Sequence, residues 1–167
     1  DASYTVNSSS TSCSGSTTLT AANGNFTDGS GTSNYNNNQN CSWLIQPAGA
    51  ASITFGLTSL ATEIGTDIIT VYDGPSAASP VLGSFSGTNI LNTFTSNTGS
   101  IFVTFVTNGT ITDQGFDAFY TSSSSSAGCS GATTLTAVSG SFSDGSLTNN
   151  YNNNQFCSWL IQPPSGT

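Results

Sequence analysis

The sequence contains no lysine, no arginine and no histidine, although it contains eight aspartate and glutamate residues. Its formal net charge is therefore −8 at pH 7. No side-chain ion pair can form without a cationic side chain, so the carboxylates depend on hydrogen bonds, water or metal cations. The missing cations also exclude nucleic acid and anionic membranes as partners, because both are bound through basic patches.

The same absence removes most of the side chains on which acid–base and covalent catalysis depend. A histidine base, a catalytic lysine and an arginine clamp are all missing, and no serine has a base to activate it. Asp28 and Asp113 are interpreted as turn residues rather than as a pair of catalytic acids, and Asp73-Gly74 as a turn. We therefore expect no enzymatic activity from these residues.

Long apolar runs and helical periodicity are absent as well. No run approaches the roughly 20 apolar residues of a membrane-spanning helix, so we expect no membrane insertion. Apolar residues instead alternate with period two, as in 53–57, 69–71 and 101–105, between turn signals such as Asn23-Gly24 and Asp73-Gly74. About eight to ten short strands in about 108 residues predict an all-β, two-sheet sandwich.

The alternating apolar positions also predict the core. Trp43 stands next to Cys41 in an alternating strand, and we assign it to the core rather than to a sugar-stacking surface. The candidate core residues are Leu19, Phe26, Trp43, Ile45, Ile53, Phe55, Leu57, Val71, Leu82, Phe85, Phe94, Ile101, Val103, Phe105, Phe116 and Tyr120.

The first 51 residues recur as residues 117–167 without insertion or deletion, and 34 of the 51 pairs are identical. A fixed period of 116 residues is the size of one domain and is typical of a tandem array. The expected organisation is the tail of a preceding repeat at 1–4, a Ser-rich linker at 5–12, a complete domain at 13–120, a second Ser-rich linker at 121–128, and the incomplete N-terminal part of the next repeat at 129–167.

The four cysteines, Cys13, Cys41, Cys129 and Cys157, form two equivalent pairs with a spacing of 28 residues. In a chain without histidine, an even count at a repeated spacing indicates disulfides rather than zinc ligands. Disulfides persist in oxidising compartments, so we expect an extracellular location, either secreted or on the cell surface.

Several side chains are candidates for glycosylation. N-glycosylation sequons begin at Asn7, Asn25, Asn40 and Asn108. Serine-rich tracts are typical sites of O-glycosylation. The candidate O-linked positions in the second linker are Ser122, Ser123, Ser124, Ser125 and Ser126.

Residues 13–120 contain an ordered series of motifs: Cys13-Ser14-Gly15, Phe26 to Gly31, Tyr35-Asn36-Asn37, Cys41-Ser42-Trp43-Leu44-Ile45, Asp67 to Gly74, Leu82 to Gly87 and Gly115 to Tyr120. This order resembles that of CUB domains, and in particular of microbial CUB units. Ser86 stands where the family often has a cysteine of a second disulfide, and residues 65–66 offer it no partner. The resemblance implies a jelly-roll-like antiparallel β-sandwich without enzymatic activity, and one disulfide per unit, Cys13–Cys41 and Cys129–Cys157.

The resemblance further implies a calcium site, because many CUB domains hold one Ca²⁺ at one end of the sandwich. The family's acidic ligands map onto Glu63 and Asp67, and Tyr35 matches the tyrosine that braces them. The third carboxylate position falls on Asn108, and Thr110 stands where a main-chain carbonyl contributes. An amide oxygen can bind Ca²⁺, but losing one negative charge should weaken binding, and a glycan on Asn108 would end its ligand role. The alternative is that Glu63 and Asp67 only accept backbone hydrogen bonds in turns.

Two functional hypotheses follow. In the first, tandem CUB-like units build an extracellular filament, surface layer or adhesive appendage. Self-association would then use strand pairing, apolar packing or shared ions, since no lysine is available to contact a calcium-bound carboxylate. In the second, the chain is a glycan- or protein-binding CUB module appended to a secreted hydrolase or receptor.

Overall fold

The computed structural model of the chain describes residues 12–88, 93–124, 131–145 and 156–164. These residues divide into two compact units, one up to Ser123 and one from Ser124 onward. All regular elements in the described residues are β-strands, and none of these residues forms a helix that could cross a membrane. The all-β prediction is therefore confirmed.

The described residues of the first unit form nine strands in two sheets. A five-stranded sheet has the order β1-β3-β8-β5-β6, and a four-stranded sheet has the order β2-β9-β4-β7. The strands are β1 Gly15–Leu19, β2 Asn23–Thr27, β3 Asn40–Ile45, β4 Ala50–Ala61, β5 Ile68–Tyr72, β6 Val81–Phe85, β7 Thr93–Ser96, β8 Ile101–Val106 and β9 Gly115–Ser124.

The sandwich is not wholly antiparallel, which corrects the prediction in one respect. Strand β1 pairs with β3 in parallel, with Gly15 opposite Cys41 and Leu19 opposite Ile45. Between these two strands the chain passes through β2, which belongs to the other sheet. A parallel pair requires a crossover connection of this kind, so the excursion through β2 explains the parallel pairing.

The core lies between the two sheets and is rich in aromatic rings. Trp43 and Phe116 pack edge to face with ring centroids 5.4 Å apart, and Phe26 lies 5.2 Å from Trp43. Twelve of the sixteen candidate core residues are buried; Leu19, Leu82, Phe85 and Phe94 are only partly buried and pack against the core. These four belong to edge strands β1, β6 and β7, where one flank of each side chain has no neighbouring strand. Five further apolar residues are buried in the described part of the chain and were not predicted as core residues: Tyr35, Cys41, Leu60, Ile69 and Ala118.

A disulfide joins Cys13 to Cys41, with a Cα–Cα distance of 5.8 Å, and confirms the expected pairing in the first unit. It ties the segment before β1 to the start of β3. In the second unit Cys157 is also disulfide-bonded. Cys129 lies outside the described residues, so its pairing with Cys157 stays a prediction.

The predicted second linker begins within a strand, because β9 continues through residues 121–124. Thr121 lies opposite Asn23 of β2. The backbone N–H and the hydroxyl of Ser122 both donate to the carbonyl of Ala22, at 2.7 and 2.8 Å. Pairing with β2 thus extends the strand into a serine tract that has no apolar pattern of its own. Asn7, residues 1–11 and residues 125–130 lie outside the described residues.

The second unit contains two described strands, β10 Gly131–Leu135 and β11 Cys157–Ile161. They form a parallel two-stranded sheet in which Gly131 lies opposite Cys157 and Leu135 opposite Ile161. This pairing follows the pairing of β1 with β3 after a shift of 116 residues.

Candidate functional site

Five residues that the sequence singled out for calcium lie close together in the first unit. They come from three separate loops: one between β2 and β3, one between β4 and β5, and one between β8 and β9. Hydrogen bonds connect them into one network, which we call the Glu63 cluster. Its members are Tyr35, Glu63, Asp67, Asn108 and Thr110.

Asp67 is the buried centre of the Glu63 cluster and has no exposed surface. The phenol of Tyr35 donates to its Oδ2 at 2.6 Å, and the backbone N–H of Asn108 donates to its Oδ1 at 2.8 Å. The Tyr35 oxygen also accepts the backbone N–H of Glu63 at 3.0 Å. Burial, followed by the hydrogen bond to Asp67, raises the pKa of Tyr35 well above its usual value. The phenol therefore remains a proton donor and holds the Asp67 carboxylate in place.

The Glu63 carboxylate forms the outer part of the cluster. Its Oε2 accepts Nδ2 of Asn108 at 2.8 Å and lies 3.0 Å from the Thr110 hydroxyl. That hydroxyl is also 2.8 Å from Oδ1 of Asn108 and can donate to one acceptor at a time. Partial burial of the Glu63 carboxyl acts to raise its pKa, but hydrogen bonds from Thr66, Thr110 and Asn108 outweigh it. The net result is a lowered pKa, so Glu63 is a carboxylate at neutral pH.

The cluster fits calcium in the type of its ligand atoms, which are all oxygens of carboxylate, amide, hydroxyl and carbonyl groups. It contains only two acidic residues, Glu63 and Asp67, and nowhere in the described ranges do three or more metal-ligating His, Cys, Asp or Glu residues gather. Nδ2 of Asn108 donates to the Glu63 carboxylate, and the Thr110 hydroxyl lies within hydrogen-bond distance of it. A cation would therefore displace the Asn108 donor and compete with the Thr110 hydroxyl for this carboxylate.

The sequons differ in accessibility. Asn25 in β2 and Asn40 in β3 are exposed. Asn108 is half-buried, and its Nδ2, the atom to which an N-linked glycan would be attached, is hydrogen-bonded to Glu63. Occupation of any of these sites stays a prediction.

A second polar group is the carboxyl of Asp28, whose burial the sequence did not indicate. Ser30 Oγ donates to its Oδ1 at 3.0 Å, but its Oδ2 has no hydrogen-bond partner among the described residues. Burial raises the pKa of the Asp28 carboxyl. Gly115 packs directly against this carboxyl and has a φ of 81°, so the site needs glycine both for space and for conformation. The sequence around Asp28 shows only a turn signal.

Ser86 stands where the second disulfide of the family would have a cysteine, and it forms a hydrogen bond instead. The backbone N–H of Gly65 donates to Ser86 Oγ at 2.9 Å. The two loops are therefore adjacent and are joined without a covalent link.

Comparison with known proteins identifies the first unit. The family model of the CUB domain matches residues 13–120 of the sequence. The chain belongs to the CUB domain family. The MASP-1 CUB2 domain bound to Ca²⁺ is 22% identical, with a TM-score of 0.57 over 65% of this chain and 99% of that domain. The extracellular region of zebrafish Gpr126/Adgrg6 is 25% identical, with a TM-score of 0.58 over 69% of this chain and 15% of that one.

Curated CUB-containing relatives are much longer than the matched segment. The embryonic protein UVS.2 of Xenopus laevis is 34% identical over 79% of this chain and 25% of its own length. Cubilin of Homo sapiens is 30% identical over 80% of this chain and 4% of its length. The exoskeleton protein RP43 of Riftia pachyptila is 33% identical over 66% of this chain and 27% of its length. The CUB chain thus spans about a quarter or less of these three proteins.

Proposed function

We propose that this CUB chain is a non-catalytic, extracellular structural module that associates with copies of itself through the outer face of its five-stranded sheet. The observation that supports the proposal is the charge distribution. The five strands of this sheet, all of them described, contain no aspartate or glutamate. The four-stranded sheet, in contrast, exposes Asp117 on β9.

The outer face of the five-stranded sheet is arranged in uncharged rows that cross the strands. Each of its side chains alternates along the strand with one that points into the core. The strand registers place a row of hydroxyl side chains next to a mainly apolar row. The hydroxyl row is Ser16, Ser42, Thr104, Thr70 and Ser84. The apolar row is Thr18, Leu44, Phe102, Tyr72 and Val81.

Electrostatics favours this face for self-association. A chain with a net charge of −8 and no cationic side chain repels its own copies wherever carboxylates approach each other. A contact that excludes carboxylates avoids most of this repulsion. The half-buried rings of Tyr72 and Phe102, with centroids 6.1 Å apart, provide apolar area at the middle of the face.

Two further observations support a structural role in an extracellular filament, layer or adhesive appendage. The sequence repeats with a period of 116 residues, which would present the same face several times along a longer chain. One relative is an exoskeleton protein, and another match lies in an extracellular region. The alternative, a glycan- or protein-binding module of a larger hydrolase or receptor, is supported by the small share of the relatives that the chain covers. The parent gene distinguishes them: many near-identical units favour the array, and an adjacent catalytic domain favours the module.

The test places one charge on the proposed face. We expect Phe102→Asp to shift the chain towards monomers in sedimentation velocity and to remove assemblies seen by electron microscopy. Thr95→Asp is the matched control, because Thr95 is exposed on β7 of the four-stranded sheet. Dispersed monomers of the unmodified chain at every concentration would contradict the proposal, as would equal effects of both variants.

We also propose that the Glu63 cluster binds Ca²⁺ weakly. Glu63, Asp67, the Asn108 side chain and the main-chain carbonyl of Thr110 would supply oxygens, with Tyr35 holding Asp67. Support comes from the gathering of these residues by hydrogen bonds and from the Ca²⁺-bound state of the MASP-1 CUB2 domain, which has the same fold. Melting is compared with Ca²⁺ and with chelator, for the unmodified chain and for Glu63→Ala. If the unmodified chain melts at the same temperature with Ca²⁺ and with chelator, the site is excluded.

A further inference from the structure

An asparagine is followed by a glycine at two places in the sequence, Asn23-Gly24 and Asn108-Gly109. In such a pair the backbone nitrogen of the glycine can attack the side-chain amide carbon of the asparagine, release ammonia and close a succinimide ring. Glycine hinders this attack least, because it has no Cβ. The two pairs have different surroundings in the fold, and those of Asn108 favour the reaction.

The side chain of Asn108 is held ready for the attack. Its Oδ1 accepts the backbone N–H of Thr110 at 2.7 Å and lies 2.8 Å from the Thr110 hydroxyl. The first of these bonds folds the side chain back over its own following peptide, as in an Asx turn. Nδ2 donates to Glu63 at 2.8 Å, which fixes the orientation of the amide. Negative charge that develops on Oδ1 is therefore stabilised by the Thr110 N–H, and by the hydroxyl when it turns towards Oδ1.

The nitrogen of Gly109 is accessible as the attacking atom. Gly109 is exposed, and its N–H takes part in none of the hydrogen bonds found among the described residues. The carbonyl of the same peptide group, that of Asn108, accepts the backbone N–H of Asn38 at 2.6 Å. A hydrogen bond to the carbonyl polarises the peptide group and makes its N–H more acidic. A base from solvent can therefore remove this proton more readily.

Asn23-Gly24 lacks this arrangement. Both residues belong to β2, where they lie opposite Thr121 and Tyr120 of β9. Strand pairing keeps the backbone of Asn23 extended, so the following nitrogen is turned away from the side-chain carbon. Ring closure there requires local opening of the sheet, and Asn23 thus serves as an internal reference for Asn108.

We propose that Asn108 is a site of spontaneous deamidation through a succinimide formed with the nitrogen of Gly109. The N–H proton passes to a solvent base, the nitrogen bonds to the amide carbon of Asn108, and the bond from that carbon to Nδ2 breaks. Nδ2 takes a proton from solvent and leaves as ammonia. Water then opens the ring and gives aspartate or isoaspartate, so one amide and one water yield one carboxylate and one ammonium ion.

The aspartate product changes the charge of the Glu63 cluster. The cluster loses the Nδ2 donor and gains a carboxylate beside Glu63, in addition to Asp67. Affinity for Ca²⁺ rises with the charge of the ligands. This consequence rests on the proposed calcium site, whereas the deamidation itself does not. An N-linked glycan on Asn108 would block the reaction, because the sugar is attached to the leaving nitrogen.

The test follows the mass of the full chain produced in a bacterial periplasm, which forms disulfides without adding N-glycans. The chain is incubated at neutral pH in water enriched in heavy oxygen and digested with chymotrypsin, since it has no trypsin sites. We expect heavy oxygen at residue 108, some of it as isoaspartate, which direct hydrolysis of the amide would not give. In the folded chain, conversion at Asn108 should be about tenfold faster than at Asn23, and this difference should disappear in denaturant.

Two variants test the roles of the attacking nitrogen and of the hydroxyl. Gly109→Ala should slow conversion about tenfold through the new Cβ, and the fold should accept it, because this Cβ comes no closer than 3.4 Å to Asn38. Thr110→Val keeps the backbone N–H but removes the hydroxyl, so it should slow conversion in the folded chain and not in denaturant. Unfolding curves establish that both variants are folded. Equal rates at Asn108 and Asn23 in the folded chain, or an unchanged rate in Gly109→Ala, would overturn the proposal.

A separate measurement distinguishes this proposal from that of the calcium site. The aspartate form is isolated from the incubated chain, and its melting temperature is compared with and without Ca²⁺. A larger increase than in the fresh chain supports both proposals. Conversion at Asn108 without a larger response to Ca²⁺ supports the deamidation site and contradicts the calcium site, whereas an intact Asn108 overturns the deamidation site alone.

Discussion

The phenol of Tyr35 donates a 2.6 Å hydrogen bond to Oδ2 of Asp67, a carboxylate with no exposed surface. The same phenol oxygen accepts the backbone N–H of Glu63. One side chain from the β2–β3 loop thus links a buried carboxylate with the backbone of the β4–β5 loop. In a chain without cationic side chains, this hydrogen bond takes the place of an ion pair.

Tyr35→Phe removes the donor to Asp67 and the acceptor for Glu63 while keeping the ring. A buried carboxylate oxygen is left without its partner, so we expect the free energy of unfolding to fall by about 1–3 kcal/mol in denaturant titrations. Tyr72→Phe is the control, because Tyr72 lies on the outer face against Phe102. Equal losses in the two variants would show that the Asp67 hydrogen bond is not responsible.

Asp28 should make the fold less stable as the pH rises. Burial raises its pKa in the folded state, so the protonated carboxyl is favoured there. Its contribution to stability is fully present below the unfolded pKa of roughly 3.9 and is lost as the pH rises through the higher folded value. The stability of Asp28→Asn relative to the unmodified chain should therefore be more favourable at pH 7 than at pH 3.

The stability change caused by Glu63→Gln should vary with pH in the direction opposite to that of Asp28→Asn. The pKa of Glu63 is lowered in the folded state, since its hydrogen bonds outweigh its burial. Its contribution is present above the unfolded pKa and is lost as the pH falls through the folded value. Unfolding free energies measured from pH 3 to pH 7 should give slopes of opposite sign for the two variants relative to the unmodified chain. Slopes of the same sign would contradict one of the two assignments, and the sign would show which one.

Gly115→Ala should be more destabilising than Gly49→Ala. Both glycines have positive φ, 81° and 71°, so each alanine carries a conformational cost of about 1–2 kcal/mol. Only at Gly115 would the new Cβ also clash with the Asp28 carboxyl, whereas at Gly49 it meets no atom within 4 Å. The difference between their unfolding free energies measures the close packing of Gly115 on Asp28. A difference near zero would contradict that packing.

Replacing both cysteines of the first unit by serine should lower its stability. The disulfide closes a separation of 28 residues, for which the chain-entropy model gives a loss of about 3–4 kcal/mol. The measurement is denaturant unfolding of Cys13→Ser/Cys41→Ser in a Trp159→Phe background, so that the fluorescence reports Trp43 alone. Adding a reducing agent should then have little further effect on this signal, and a large effect would indicate another source of covalent stability.

Asn108→Asp should strengthen calcium binding at the Glu63 cluster. The change supplies a third carboxylate and removes the Nδ2 donor from Glu63, and Ca²⁺ affinity rises with ligand charge. We expect a larger increase in melting temperature on adding Ca²⁺ than in the unmodified chain, and a lower melting temperature in chelator. Asn25→Asp is a suitable control, because Asn25 is exposed on β2 in the four-stranded sheet and takes part in none of the cluster's hydrogen bonds. An equal response to Ca²⁺ in both variants would remove the proposed site.

The location of the strands and most of the core were predictable because they depend on local pattern. Alternation in 101–105 places Ile101, Val103 and Phe105 on one face, and all three are buried. Tyr35 was missed as a core residue because it lies in a loop without alternation. Leu60 was missed because it is out of phase with Ile53, Phe55 and Leu57 in β4. Ile69 was missed because its neighbour Ile68 is also apolar, so the pattern does not show which of the two points inward.

The Glu63 cluster was predictable as a set of residues through the CUB resemblance, but its hydrogen bonds were not. Asn108 donates to the carboxylate of Glu63, 45 residues away in the chain, and the Thr110 hydroxyl lies 3.0 Å from the same carboxylate. Which atom of an amide or hydroxyl meets that carboxylate depends on how three loops converge. No local sequence pattern predicts how these loops converge. The hydrogen bond between Gly65 and Ser86 could not be predicted for the same reason.

The sequence alone determined the β class and the 116-residue repeat, and its family resemblance implied the Cys13–Cys41 pairing. The first two properties depend on alternation and spacing along the chain. Only the tertiary structure decided that β1 and β3 run parallel, that β9 continues into the serine tract, and that Asp28 is buried against Gly115. The physical reason is that pairing between distant strands sets register and burial, and a turn such as Asp28-Gly29 has the same local sequence whether or not another strand covers it.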